Sequence, residues 1–275
     1  MTRRPKVIGR ALGDGAIVAG MLFAGYLFAV AAPSIHTFGF DAFAYWSIDL
    51  AHPYARTAGE LGAFTYSPVI ARLFSLFALL PLWQFTFAWL LLAVGTAVWL
   101  GLGSVRSVLA LLAFPAVALE LYHGNVHLLM AAAIWIGFRF PAAWSFVLLT
   151  KVTPGVGLLW FAVRREWRSL ALALGVTGAL AGISLVVDGG LWVSWVRDSL
   201  LTTASGAALN QFSVPVPLFV RLPLAAVLVV WGGLTDRRWT VPAAATLALP
   251  VLWPSGLAVL AALWPIHRHQ GDRAG

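Results

Sequence analysis

The sequence reads as an all-α, polytopic transmembrane protein, and three observations carry that reading. Of its 275 residues, 61% are apolar and only 10% are charged, whereas a soluble domain carries about 25% charged and 45–50% apolar residues. Mean hydropathy is +0.88. Long apolar runs alternate with short basic or Pro/Gly-rich breaks, as in membrane spans joined by short loops. The net charge of +8 sits beside those runs rather than on one polar stripe. It therefore fits the positive-inside rule and an anionic lipid surface, not nucleic acid. With no cysteine, disulfides, thiol catalysis and zinc–thiolate sites are excluded.

The elements follow in order. Arg3, Arg4, Lys6 and Arg10 precede an apolar run over 16–32, read as an uncleaved first helix with a cytoplasmic N-terminus. Residues 33–81 form a first outer loop. Within it the run 66–80 carries Arg72, is short for a 30 Å hydrocarbon core and suits an interfacial helix ended by Pro81. The run 83–103 returns inward to Arg106, 105–122 goes out again, and 126–138 comes back to Arg139. Runs 142–150 and 154–163 flank Lys151-Val152-Thr153 and end at Arg164, Arg165 and Arg168. The charge rule favours a re-entrant pair over one crossing. Run 170–187 leads to a second outer loop, 188–217, and 218–234 returns to Arg237 and Arg238. Two short segments, 241–252 and 256–266, finish the chain. This gives about 8–10 membrane segments in one domain over 1–275, without internal repeat or linker.

Unusual polar residues gather on the outer side. Asp41 and Tyr45 fall one helical turn apart, with Asp49 a further turn along. A carboxylate there serves as a general base or metal ligand, or else caps a helix or solvates a loop. Glu120 sits in the run Ala116-Val117-Ala118-Leu119-Glu120-Leu121, where an ionisable group is costly and is either paired or functional. His123 and His127 are four apart but no third ligand stands near, so no metal site is assigned, while a divalent metal stays compatible with the acids. His123 fits better as a hydrogen-bonding group near a substrate. Lys151, beside Thr153 and Pro154 at a helix break, either holds a phosphate as a point charge or snorkels to the interface. Arg72 and Arg221 are further candidates for an anionic headgroup. The 14 Trp residues fit an interfacial belt. No Gly-rich nucleotide loop or nucleophile elbow is present, so ATP- and NAD-linked chemistry has no support and no cofactor is specified.

In order, these motifs resemble the GT-C glycosyltransferases, specifically family 87, the polyprenol-phosphate-mannose-dependent mannosyltransferases. The likeness runs over residues 15–215. It comprises D-x-x-x-Y (Asp41, Tyr45), Pro53-Tyr54, and an aromatic helix start Phe64-Thr65-Tyr66-Ser67-Pro68. It continues with a turn at His123-Gly124-Asn125, the K-x-x-P break at Lys151 and Pro154, the basic end Arg164-Arg165-Glu166-Trp167-Arg168, and Ser194-Trp195. Ser67 stands where the family has its first proline, and the chain is shorter than is usual, leaving fewer C-terminal spans. The resemblance implies a GT-C fold in the cytoplasmic membrane with its site facing outward. It also implies sugar transfer, with inversion, from a polyprenyl-phosphate carrier to a lipid or glycan acceptor. Asp41 would be the base, and Lys151, Arg72 or Arg221 would hold the donor phosphate. Tyr45, Asp49, Tyr66, Glu120, His123 and Asn125 would face sugar or acceptor. Two other readings use the same residues: a transporter or flippase for a lipid-linked sugar, and an inactive scaffold.

Overall fold

A computed structural model describes residues 3–204 and 212–271, and every regular element among them is helical. Residues 205–211 of the second outer loop lie outside the described residues. Helix α1 (Arg3–Tyr26) continues through a widened turn, Leu27–Ala31, and a last turn, Ala32–Ile35. Then come α2 (Phe40–Trp46), α3 (Pro68–Ser75) and α4 (Leu82–Gly101). Next are α5 (Val105–Leu112), α6 (Pro115–His123), α7 (His127–Gly137) and α8 (Trp144–Thr150). A 3₁₀ segment, Thr153–Leu158, leads into α9 (Leu159–Val163), and α10 (Trp167–Val187) follows. Helices α11 (Leu218–Leu234), α12 (Thr240–Leu247) and α13 (Leu263–Gly271) close the chain, with a 3₁₀ segment, Pro254–Ala262, before the last.

Among the described residues, three helices are long and apolar enough to cross a membrane: Gly9–Ile35, Leu82–Gly101 and Trp167–Val187. Helix α10, with 21 residues, spans about 31 Å, which matches the hydrocarbon core. The run 105–122, expected as one span, is instead α5 and α6 bent by 65°. Pro115 opens α6, and the residue before a proline leaves the helical region. Counted together these make up to four spans. The other expected segments are shorter apolar helices, among them His127–Gly137, Pro141–Thr150 and Thr153–Val163. An 11-residue helix such as α7 reaches only about 17 Å. The expected 8–10 segments thus become three or four crossings wrapped around a set of partial ones.

The partial helices are the buried part. Trp144, Ile134, Met130, Phe161, Ala244 and Leu249 pack in the main core, whereas α10 leaves Leu172, Ile183 and Val186 exposed along its length. Lipid solvates such a surface, and only backbone paired within helices is tolerated there. Non-helical backbone, as at Lys151-Val152, is permitted where it lines a cavity within the protein, and both residues line such a recess. Both long helices α4 and α10 run between the same two ends of the molecule. The start of α4 and the end of α10 both adjoin the first loop, where Trp46 bonds the Leu80 carbonyl and Arg72 pairs with Asp188; their far ends adjoin Arg106 and Arg164 in the chain.

Candidate active site

Helix α2 is docked end-on against the close of α6. The Gly39 N–H donates to the Tyr122 carbonyl at 2.8 Å, and Gly39 has φ +71°, which a glycine adopts at little cost. This fixes Asp41 in the first turn of α2, with Tyr45 one turn below it. Helix α6 stops at Gly124, whose φ of +72° makes it a left-handed C-cap, its N–H donating to the Glu120 carbonyl. A Cβ on Gly124 would lie 2.8 Å from the Ala42 Cβ. The turn also receives a hydrogen bond from the Trp89 indole N–H to the Gly124 carbonyl, at 2.7 Å. Glycine therefore serves twice here, for its backbone angle and for the contact with α2. Gly124→Ala is expected to cost about 1–3 kcal/mol, to be measured as unfolding in mixed micelles. Wild-type stability would show that α2 and the turn can separate freely.

The residue after that glycine reaches Asp41. Asn125 is buried, and its Oδ1 accepts from the Tyr66 hydroxyl at 3.3 Å and from the Val126 N–H at 2.8 Å. Both partners have a proton to give, so the amide is oriented with Oδ1 as acceptor and Nδ2 as donor, and Asn125 lies near enough to Asp41 to favour its ionised form. Tyr45 and Tyr66 share a 2.8 Å hydroxyl–hydroxyl bond, and Tyr45 stacks on Phe74 at 4.6 Å. The aromatic floor beneath Asp41 is thus rigid. Burial raises the Asp41 carboxyl above its ordinary range and Glu120 adds to this, while Asn125, His123 and Lys151 pull the other way. The net direction is upward.

Lys151 approaches from the break between α8 and the Thr153–Leu158 turn. Its backbone is extended at φ −141°, ψ 112°, and Pro154 prevents α8 from continuing. The Nζ lies 5.6 Å from the Tyr66 ring centroid, within reach of the Asp41 and Glu120 charges, and makes no contact ion pair with an acid among the described residues. Beyond it opens a recess of about 650 Å³, counting its mouth, lined by Lys151, Thr65, Thr150, Trp195, Ser199 and Trp253 among others. Trp195 Nε1 and Ser199 Oγ both donate to the Thr65 carbonyl, at 3.1 and 3.0 Å. They tie the chain after α10 onto the strand of loop before α3.

The remaining sequence candidates take other places. Asp49 is exposed, because α2 ends at Trp46; its Oδ1 accepts the Ala51 N–H at 2.9 Å and caps a loop turn. Arg72 pairs with Asp188 at 2.9 Å, joining α3 to the end of α10. Arg221 is buried against backbone carbonyls of Val216, Leu247, Leu249 and Pro250 at 2.6–3.0 Å, which occupy its guanidinium. It braces the recess wall at Pro250 rather than opening into it. Glu120 is fully buried and turns its carboxylate to His127, 2.9 Å from Nδ1, and to two backbone N–H groups of α7. His123 stays half-buried against Tyr122 and near Asp41. His123 and His127 thus lie on opposite sides of Gly124, and no three His, Asp or Glu side chains converge among the described residues. Ser199 and Trp253 line the recess without having been singled out from the sequence, whereas Thr65 and Trp195 entered as members of motifs and Thr153 as a neighbour of Lys151.

The family model for glycosyltransferase family 87 matches residues 64–275. The chain belongs to glycosyltransferase family 87. No curated protein and no solved structure matches it. With its apolar spans, this family 87 member is a multi-pass membrane glycosyltransferase. The matched region includes Lys151, Asn125 and the recess lining apart from Ala58, but begins at Phe64, after the helix that carries Asp41 and Tyr45.

Proposed function

We propose that this family 87 member transfers a sugar, mannose by resemblance, from a polyprenyl-phosphate carrier to a lipid or glycan hydroxyl at the outer membrane face. The observation that supports the reading is that Asp41 lies close enough to Lys151 for each charge to favour the other, and that Lys151, though not Asp41, lines an open recess. Asp41 takes the acceptor O–H proton, the acceptor oxygen forms a bond to the anomeric carbon from the face opposite the leaving group, and the carbon–oxygen bond to the phosphate breaks with inversion. The electron pair stays on the polyprenyl phosphate. That leaving group is already ionised, so it needs a fixed positive charge more than a proton, and Lys151 supplies it. His123, at the edge beside Asp41, is placed to meet a sugar or acceptor hydroxyl.

Transfer from labelled polyprenyl-phosphate-mannose to membrane acceptors tests the reading. Lys151→Met is expected to raise the donor KM and lower kcat/KM by about 10²-fold, with the acceptor KM nearly unchanged. Equal transfer by wild type and Lys151→Met would remove Lys151 from the site, and donor movement across vesicles without any transfer would favour a transporter.

The pH profile has a definite sign. Only the ionised Asp41 can accept a proton, and its raised pKa places the acid limb of kcat/KM above the range of an ordinary aspartate. Activity therefore falls as pH drops through that raised value. Removing the Lys151 charge, which favours the carboxylate, should move the limb to still higher pH. A limb that stays put in Lys151→Met would mean that the two charges do not interact.

A further inference from the structure

At the end of the molecule away from Asp41, two tight reversals lie side by side. Helix α9 closes at Arg164, where the N–H groups of Arg164, Arg165 and Glu166 bond back to Trp160, Ala162 and Phe161, and Arg165 takes φ +58°. Helix α11 closes in the same way through Asp236 at φ +54°, and Arg237 N–H donates to the Gly232 carbonyl. The tips touch: a Cβ on Gly233 would lie 3.0 Å from a Val163 methyl, and Arg164 reaches Asp236 at 2.8 Å.

The charge on this surface is unbalanced. Its two acids, Glu166 and Asp236, are both taken by Arg164, at 2.9 and 2.8 Å. Arg139, Arg165, Arg168, Arg237 and Arg238 form no ion pair among the described residues. Three of these five, Arg139, Arg237 and Arg238, are held on aromatic rings, as is Arg164. Arg238 lies 5.4 Å over Phe138, Arg139 5.5 Å over Phe140, Arg164 5.0 Å over Trp160 and Arg237 5.3 Å over Trp231. Phe138 and Trp160 meet edge to face at 5.8 Å, so one aromatic pair carries both Arg238 and the acid-paired Arg164. A guanidinium held by its face on a ring keeps its edge N–H groups free for paired bonds to a phosphodiester. Phe140 and Trp167 are each 60% exposed beside these arginines, the amphipathic ring position of a headgroup layer.

From these observations we propose that the paired tips of α9 and α11 form a docking surface for anionic phospholipid headgroups, with Arg139, Arg168 and Arg238 as phosphate ligands and Phe140 and Trp167 as the anchors set into the lipid. The surface is separate from the recess, so it stands whether or not Asp41 is the base of a transfer reaction. Polybasic surfaces bind in proportion to lipid charge and lose that binding with salt, whereas a ring framework adds a preference for position.

The test uses the full-length protein purified in detergent, with native mass spectrometry counting retained phosphatidylglycerol against phosphatidylcholine. Wild type should retain phosphatidylglycerol selectively. The combined Arg139→Gln, Arg168→Gln and Arg238→Gln variant should retain it about tenfold less. Arg56→Gln, an exposed arginine near the other end, should behave as wild type. Should the combined variant fail to fold, Arg139→Gln and Arg168→Gln are read singly, since both residues are exposed, and each should lose part of the retention. Equal retention of the two lipids, undiminished retention in the variants, or an equal loss in Arg56→Gln would each overturn the proposal.

Discussion

Asp41→Asn is expected to lower sugar transfer by about 10²–10⁴-fold, the range that a positioned general base supplies, without unfolding the protein. Asparagine matches the aspartate in size, and its Oδ1 keeps an acceptor beside Asn125, which lies near this position. What disappears is basicity. Burial already disfavours the Asp41 carboxylate, so removing the charge should leave stability equal or slightly higher. That separates the catalytic effect from a folding effect, because a structural residue would lose both together. Asp41→Glu carries the carboxylate one methylene away from Asn125 and should recover only part of the rate. Transfer at wild-type rate by folded Asp41→Asn would sink the assignment, and because the family match begins at Phe64, this variant is the direct test of the helix that precedes it.

The long spans could be read from the sequence because 20 or more apolar residues in line admit one structure in lipid, as in α4 and α10. The shared face of Asp41 and Tyr45 and the break at Lys151 were equally legible, the first from helical period and the second from Pro154. Shorter runs were not. A stretch of ten apolar residues bounded by Pro or Gly looks the same whether it crosses, dips or lies buried, and α7 and α8 are of that kind. Asp49 continued the period of α2 on paper, but the helix ends at Trp46, where the chain turns into the loop that Asp49 caps. The carbonyls that occupy Arg221 come from residues 247–250 and 216, a contact that no local pattern announces. Glu120 fits the expectation that an acid in an apolar run is paired or functional. Its partner His127 is seven residues on, yet the two meet only because Gly124 reverses the chain between them.

Glu120→Ala should be the most destabilising single change considered, by about 3–5 kcal/mol, because three buried donors lose their shared acceptor at about 1–3 kcal/mol each. The side chains of Glu120 and His127 are both 0% exposed. One carboxylate accepts from the His127 and Leu128 backbone N–H groups and from His127 Nδ1. The two N–H groups belong to the first turn of α7, where helical donors have no partner of their own and the helix dipole favours a negative charge. Single hydrogen bonds between membrane helices average only about 0.6 kcal/mol, because the unfolded chain in lipid finds other partners. Three bonds to one charged group, none of which solvent can replace, put this site well above that average. Glu120→Gln keeps one acceptor oxygen but forfeits the charge, so it should lose less. Its loss of charge also removes a repulsion from Asp41, which should move the acid limb of transfer to lower pH even where the protein stays folded. Equilibrium unfolding in mixed micelles, run beside the pH profile, reads both effects. A Glu120→Ala protein within about 1 kcal/mol of wild type would show that the α6–α7 turn is held by Gly124 and Trp89 alone, and that the carboxylate is free for another purpose.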